Sequence, residues 1–131
     1  MKKLYKNLLF CVYFLVTIEY VHTQSKTYIP DPNFRIFLNA TYPNVMDISG
    51  DSLIVDSAAT ITGTFNCSFK NINDITGIQF FTGINKLHCY SNHINQIPDI
   101  SALTKLTEFK CYYNWIFIGI CYLFSNMGCK S

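Results

Sequence analysis

The chain has 131 residues, of which half are hydrophobic and 14% are charged, so it is at most one small domain and not a disordered polar tail. The formal charge of +2 comes from the first 24 residues, where three lysines oppose one glutamate, and removing them from the 10 basic and 8 acidic residues leaves seven of each. A nucleic-acid binder normally carries a clear basic excess, so this balance excludes that class.

Residues 1–24 have the three-part pattern of a secretory signal peptide. Lys2, Lys3 and Lys6 form a positive start, and an apolar run over 8–18 precedes a polar stretch. The run is shorter than the roughly 20 residues that a membrane-spanning helix needs. We therefore expect cleavage and a chain that is secreted, periplasmic or at the cell surface, with no membrane span after cleavage. An uncleaved anchor is the alternative.

Residues 25–60 are predicted to form an N-terminal cap that contains a helix over about 32–39. Asp31 is a candidate N-cap, and Pro32 suits the first helical position. The apolar side chains on one face of this helix would be Phe34, Phe37 and Leu38. We expect that face to cover the open apolar end of the segment that follows.

The spacing of Asp47, Ser49 and Asp51 imitates the first ligands of a calcium loop. Ser52 stands where such a loop has glycine, and Ala58 stands where it has its last glutamate. Because both the tight turn and the bidentate ligand are lost, little affinity should remain. We expect a surface turn here, and neither a metal nor a cofactor.

Residues 61–116 carry about 2.5 copies of a repeated pattern. Cys67, Cys89 and Cys111 lie 22 residues apart, and apolar residues recur two positions before and five positions after each of them. Such a period is typical of a solenoid, in which each copy adds a short strand that pairs in parallel with the next. The pattern predicts an α/β solenoid with a short parallel sheet on its concave face and the helical cap at its N-terminal end.

Side chains alternate along a strand, so Leu87 and Cys89 would point inward while their neighbours point outward. The outward, concave-face residues that we predict to bind a partner are Thr64, Asn66, Ser68, Lys86, His88, Tyr90, Glu108, Lys110 and Tyr112. Tyr90 and Tyr112 would stack, and the lysines would favour an anionic patch on the partner. A plain solvated face is the alternative.

Five other residues are predicted to be structural. Stacked side chains in register point the same way, which is the wrong orientation for a disulfide, so Cys67, Cys89 and Cys111 should be small buried apolar residues. Asn92 and Asn114 follow two of these cysteines by three positions, where an amide can satisfy backbone groups that a turn leaves unpaired.

Two copies of the repeated pattern resemble the 22-residue leucine-rich repeat of internalin type. They read I-x-x-L-x-C-x-x-N-x-I from Ile84 and L-x-x-F-x-C-x-x-N-x-I from Leu106. Residues 28–34 are similar to a segment of secreted repeat proteins of Bacteroidetes bacteria. The resemblance covers residues 28–116, and it implies a protein-binding scaffold.

Residues 117–131 do not continue the period, since Gly119, Ser125 and Gly128 fall where apolar residues belong. We interpret this tail as the product of truncation or a frameshift; the alternative is an authentic hydrophobic cap in which Cys121 and Cys129 are bridged.

No arrangement of side chains that is typical of catalysis is present, so an enzyme is not expected. The sequence thus predicts a secreted or surface module that binds a protein or cell-surface ligand on the concave face. The alternative is a truncated fragment of a longer repeat protein with no independent activity.

Overall fold

The computed structural model of the chain describes residues 24–116. The predicted signal peptide, except for its last residue, and the predicted tail over 117–131 with its cysteine pair lie outside these residues. Within residues 24–116, no helix combines the length and the apolar character needed to cross a membrane.

The first half of the described chain consists of two strands and two helices. Strand β1 (Lys26–Tyr28) pairs antiparallel with strand β2 (Ser52–Ile54). Helix α1 (Pro32–Thr41) and a 3₁₀ turn (Pro43–Val45) lie between them in the chain. Helix α2 (Val55–Ala59) follows β2 directly.

Helix α1 begins where its sequence predicts, because Asp31 caps it. The Oδ1 atom of Asp31 accepts a hydrogen bond of 2.8 Å from the backbone N–H of Phe34. Its Oδ2 atom accepts two more bonds from Asn73, at 2.8 Å from the backbone and 3.2 Å from the side chain. The buried Asp31 carboxylate therefore both caps the start of the helix and connects it to the segment that contains Asn73.

The second half of the described chain forms a three-stranded parallel sheet in the order β3-β4-β5. Its strands are Gly63–Asn66, Ile84–His88 and Glu108–Lys110. In register, Phe65 lies beside Leu87, and Leu87 lies beside Phe109. These three side chains are fully buried, and the ring of Phe37 from α1 packs against Phe65 at 5.5 Å between centroids.

The prediction of an α/β solenoid is wrong. The described residues form a small mixed α/β domain with two helices and two small sheets, one antiparallel and one parallel, and they show no solenoid or repeat architecture. The 22-residue spacing corresponds to the register of three short strands. The connection from β3 to β4 contains a 3₁₀ helix (Ile78–Phe80), whereas the connection from β4 to β5 has no helix in these residues. A solenoid requires stacked units that share one structure, and these two connections do not.

Candidate functional site

The parallel sheet buries one side and exposes the other. Phe65, Leu87 and Phe109 face the core, so the residues that alternate with them face solvent. We call this solvent-facing side, together with the two tyrosines that follow β4 and β5, the sheet face. Its residues are Thr64, Asn66, Lys86, His88, Tyr90, Glu108, Lys110 and Tyr112, and all of them are exposed or partly exposed.

Ser68 is not on this exposed surface, although the sequence analysis placed it there. It is buried, and its hydroxyl has no hydrogen-bond partner among the described residues. Strand β3 ends at Asn66, whose side-chain oxygen accepts a hydrogen bond of 3.1 Å from the Ser68 N–H. Ser68 and Phe69 form a turn, whereas Tyr90 and Tyr112 at the matching positions precede the bends of their segments. The alternation of a strand therefore does not fix where the Ser68 side chain lies.

Three charged or titratable residues of the sheet face, Lys86, His88 and Lys110, converge on the carboxylate of Glu108. Glu108 Oε1 lies 2.6 Å from the Lys110 ammonium and 2.8 Å from His88 Nε2, while Glu108 Oε2 lies 3.1 Å from the Lys86 ammonium. The hydrogen bond from Lys110, followed by those from His88 and Lys86, lowers the pKa of Glu108 to about 2. Two lysines against one glutamate give this cluster a net positive charge.

An aromatic row crosses the sheet at the carboxyl ends of its strands. Tyr90 and Tyr112 stack with ring centroids 4.6 Å apart and an interplanar angle of 13°. Phe69 meets Tyr90 edge-on at 5.2 Å, and Tyr113 meets Tyr112 edge-on at 5.2 Å. We call Phe69, Tyr90, Tyr112 and Tyr113 the aromatic row. Its two end members are largely exposed, Phe69 at 69% and Tyr113 at 77%.

Both exposed ends of the aromatic row have a left-handed backbone. Phe69 has φ 59° and Tyr113 has φ 54°, and Ser91, at the matching turn after β4, also has φ 54°. This conformation costs a residue with a Cβ about 1–2 kcal/mol, and it is unusual for a bulky side chain. At Phe69 and Tyr113 this backbone conformation accompanies a ring that is largely exposed to solvent.

Phe69 and Tyr113 are the site residues that sequence reasoning missed. Strand alternation places positions 69 and 113 on the inner side, and only the left-handed turn brings their rings outward. A signal was present nevertheless, because an aromatic residue stands two positions after both Cys67 and Cys111.

Asn92 and Asn114 hold the turns beneath the aromatic row. Asn92 is 4% exposed; its oxygen accepts hydrogen bonds from the N–H groups of Lys70 and Ile72, at 3.0 and 3.1 Å. Its amide nitrogen donates to the carbonyls of Cys67 and Cys89, at 3.0 and 2.9 Å.

Asn114 makes the corresponding bonds one strand further along. Its oxygen accepts from the N–H of Ile94 at 2.9 Å, and its nitrogen donates to the carbonyls of Cys89 and Cys111 at 2.9 and 3.0 Å. The two amides therefore tie each turn to its neighbour and hold the aromatic residues in place.

The three cysteines of the sheet region are buried, but they are not alike. Cys67 and Cys89 are free thiols. Burial raises the pKa of Cys67 to about 12 and that of Cys89 well above its usual value, so neither is a nucleophile at neutral pH. Cys111 is disulfide-bonded, which the sequence analysis did not predict. Cys67 and Cys89, on neighbouring strands, stay unbridged as predicted, whereas the prediction that Cys111 is an unbridged apolar residue is wrong.

In the turn that contains Asp47, Ser49 and Asp51, the two carboxylates already contact neighbouring side chains. The Ser49 hydroxyl lies 2.5 Å from Asp47 Oδ1 and 2.8 Å from Asp51 Oδ1, and the Lys26 ammonium lies 3.2 Å from Asp47 Oδ2. The hydrogen bond from Ser49 is the main cause that lowers the pKa of Asp47. Across residues 24–116, no three His, Cys, Asp or Glu side chains are placed to hold a metal ion.

No protein-family model matches the chain, and a search of curated proteins finds no match. The resemblance to leucine-rich repeat proteins therefore stays a prediction.

Proposed function

We propose that the chain is a non-catalytic, exported binding module that contacts a protein or cell-surface ligand through its sheet face. The observation that carries this proposal is the aromatic row, which leaves two strained and largely exposed rings at the ends of a stacked tyrosine pair. Folding alone does not favour this arrangement, because it strains the backbone and exposes apolar surface. Backbone strain at exposed side chains is typical of functional surfaces.

The chemistry of the aromatic row suits recognition. Tyrosine is enriched in binding hot spots because it offers a large, rigid contact area with a polar hydroxyl. Each ring of the row is held by a neighbouring ring, so little side-chain freedom remains to be lost when a ligand binds. A preorganised surface of this kind supports affinity without a deep pocket.

The charged cluster of the sheet face gives no support to catalysis. Both oxygens of Glu108 already lie within hydrogen-bond distance of cationic or imidazole nitrogens. Its pKa of about 2 makes it a weak base near neutral pH. The buried thiols of Cys67 and Cys89 are likewise unsuited to attack a substrate.

Selection from a random 12-residue peptide display library on the immobilised full chain tests the proposal. We expect the enriched peptides to lose at least tenfold in affinity on Tyr112→Ala, because the substitution removes the centre of the aromatic row. Tyr28→Ala, which removes an exposed tyrosine from the antiparallel sheet instead, is the matched control and should leave the affinity unchanged.

Two results would contradict the proposal. One is an absence of enrichment, which the alternative of a fragment without independent activity predicts. The other is enrichment of peptides that bind Tyr112→Ala as tightly as the wild type. Circular dichroism of each variant should accompany the affinities, so that loss of binding is not mistaken for loss of fold.

A further inference from the structure

We infer that the ligand of the sheet face is an acidic polypeptide segment, whose carboxylates meet Lys86 and Lys110 and whose apolar side chains pack on the aromatic row. This inference rests on the proposed function and specifies the chemistry of the partner at the same site.

Charge is distributed unevenly over the described domain. Of the eight acidic residues in the chain, two are Glu19 and Glu108, and the six aspartates all lie outside the three parallel strands. The sheet face thus carries Lys86, Lys110 and His88 against a single carboxylate. Although the sequence as a whole is nearly balanced, this one surface is positive, and it complements a negative partner.

The two lysines retain capacity for another acceptor. An ammonium has three donors, and the contact with Glu108 takes one of them on each lysine. The side chains of Lys86 and Lys110 remain 44% and 40% exposed. A partner carboxylate can therefore approach both without displacing Glu108, and it would neutralise the excess charge of the cluster.

The aromatic row favours a polypeptide over a nucleic acid. Single-stranded nucleic acids stack their bases on open aromatic faces in a strongly basic groove. Here Tyr90 and Tyr112 stack on each other, so each has one face covered, and the charged cluster has a small net charge. The ring edges, the hydroxyls and the exposed Phe69 and Tyr113 suit apolar and hydrogen-bonding side chains instead.

The charge of the peptides enriched by the display selection is the readout for this inference. We expect the enriched pool to be more acidic than the input library, and an acidic member of it to bind in 20 mM NaCl about tenfold more tightly than in 500 mM NaCl. Its affinity should fall about tenfold on the double substitution Lys86→Gln and Lys110→Gln. Lys26→Gln, at an exposed lysine of the antiparallel sheet, is the matched control and should leave the affinity for the acidic peptide unchanged.

Glu108→Gln separates an electrostatic role from a structural one. It removes the only carboxylate of the sheet face, so an acidic peptide should bind several-fold more tightly. If the cluster merely maintained the fold, Glu108→Gln would weaken binding just as the lysine substitutions do. Tighter binding supports the inference, and weaker binding overturns it.

The remaining outcomes are also distinguishable. A neutral or basic pool that still depends on Tyr112 overturns the acidic partner and leaves the proposed function standing. An absence of enrichment overturns both. The inference would also be overturned if a 12-nucleotide oligothymidine bound more tightly than any enriched peptide, in a salt-sensitive manner. That result would identify the partner as a nucleic acid.

Discussion

The side chain of Asn92 connects two turns of the parallel sheet region, and its removal should be among the most damaging single changes to the domain. In Asn92→Ala, the N–H groups of Lys70 and Ile72 and the carbonyl of Cys67 lose their bond to the amide. The carbonyls of Cys89 and Tyr90 also lose a bond from this amide, but they keep those from the Asn114 side chain and from the Phe69 N–H. Three of the five backbone groups are therefore left without a replacement for this bond.

The magnitude follows from these three groups. An unsatisfied buried donor or acceptor costs about 1–3 kcal/mol. Lys70 is exposed, so water can reach its N–H more easily than the buried N–H of Ile72. We expect Asn92→Ala to lower the free energy of unfolding by about 3 kcal/mol. A small domain has about 5–15 kcal/mol in total, so the variant should fold but be visibly weakened.

Urea denaturation of the full chain under oxidising conditions, followed by circular dichroism, measures this loss. Asn95→Ala is the matched control, because Asn95 is the same residue type at an exposed position three residues later, and it should stay within about 0.5 kcal/mol of the wild type. Asn114→Ala should fall between the two, since Asn114 is only partly buried. Equal unfolding free energies for Asn92→Ala and Asn95→Ala would refute the assigned role of the amide.

Three further predictions concern the cap, the charged cluster and the buried thiols. Asp31→Ala should lower the free energy of unfolding by about 2–3 kcal/mol, measured by urea denaturation, because it removes three hydrogen bonds to the carboxylate. A loss below about 0.5 kcal/mol would show that the Asp31 cap is dispensable. The pKa of Glu108 is lowered from 4.5 to about 2, so its contribution to stability is present above pH 4.5 and is lost as the pH falls toward 2. The difference in urea midpoint between the wild type and Glu108→Gln should therefore shrink from pH 6 to pH 2.5, and a constant difference would contradict this assignment. Iodoacetamide at pH 8 should leave Cys67 and Cys89 unmodified in the folded chain and alkylate both in 8 M urea, as read by peptide mass spectrometry; rapid native labelling would show that these thiols are accessible.

Local features of the fold could be predicted from the sequence, but its architecture could not. Asp31 and Pro32 indicate the start of helix α1 through backbone chemistry that acts over one turn. The 22-residue spacing predicts parallel pairing, because equal spacing brings like residues into register. The spacing does not specify the structure of the segments between the strands. It also gives no sign of the antiparallel pairing of Lys26–Tyr28 with Ser52–Ile54, which lies outside the repeated pattern.

Prediction of the candidate site failed where strand geometry ends. Alternation places Tyr90 and Tyr112 correctly relative to each other, because each lies two residues after its strand and still precedes the bend that follows. It cannot place Ser68, Phe69 or Tyr113, whose positions depend on an early turn and on left-handed backbone angles. Such angles are set by tertiary contacts, and no pattern of apolar residues encodes them.

Backbone amide NMR of the ¹⁵N-labelled full chain, titrated with the tightest peptide from the display selection, tests the role of the sheet face most directly. We predict that the shifted amides cluster at 64–70, 86–91 and 108–113, and that those of helix α1 and of the antiparallel sheet stay unchanged. Shifts centred on helix α1 or on the antiparallel sheet would contradict the sheet face as the binding surface.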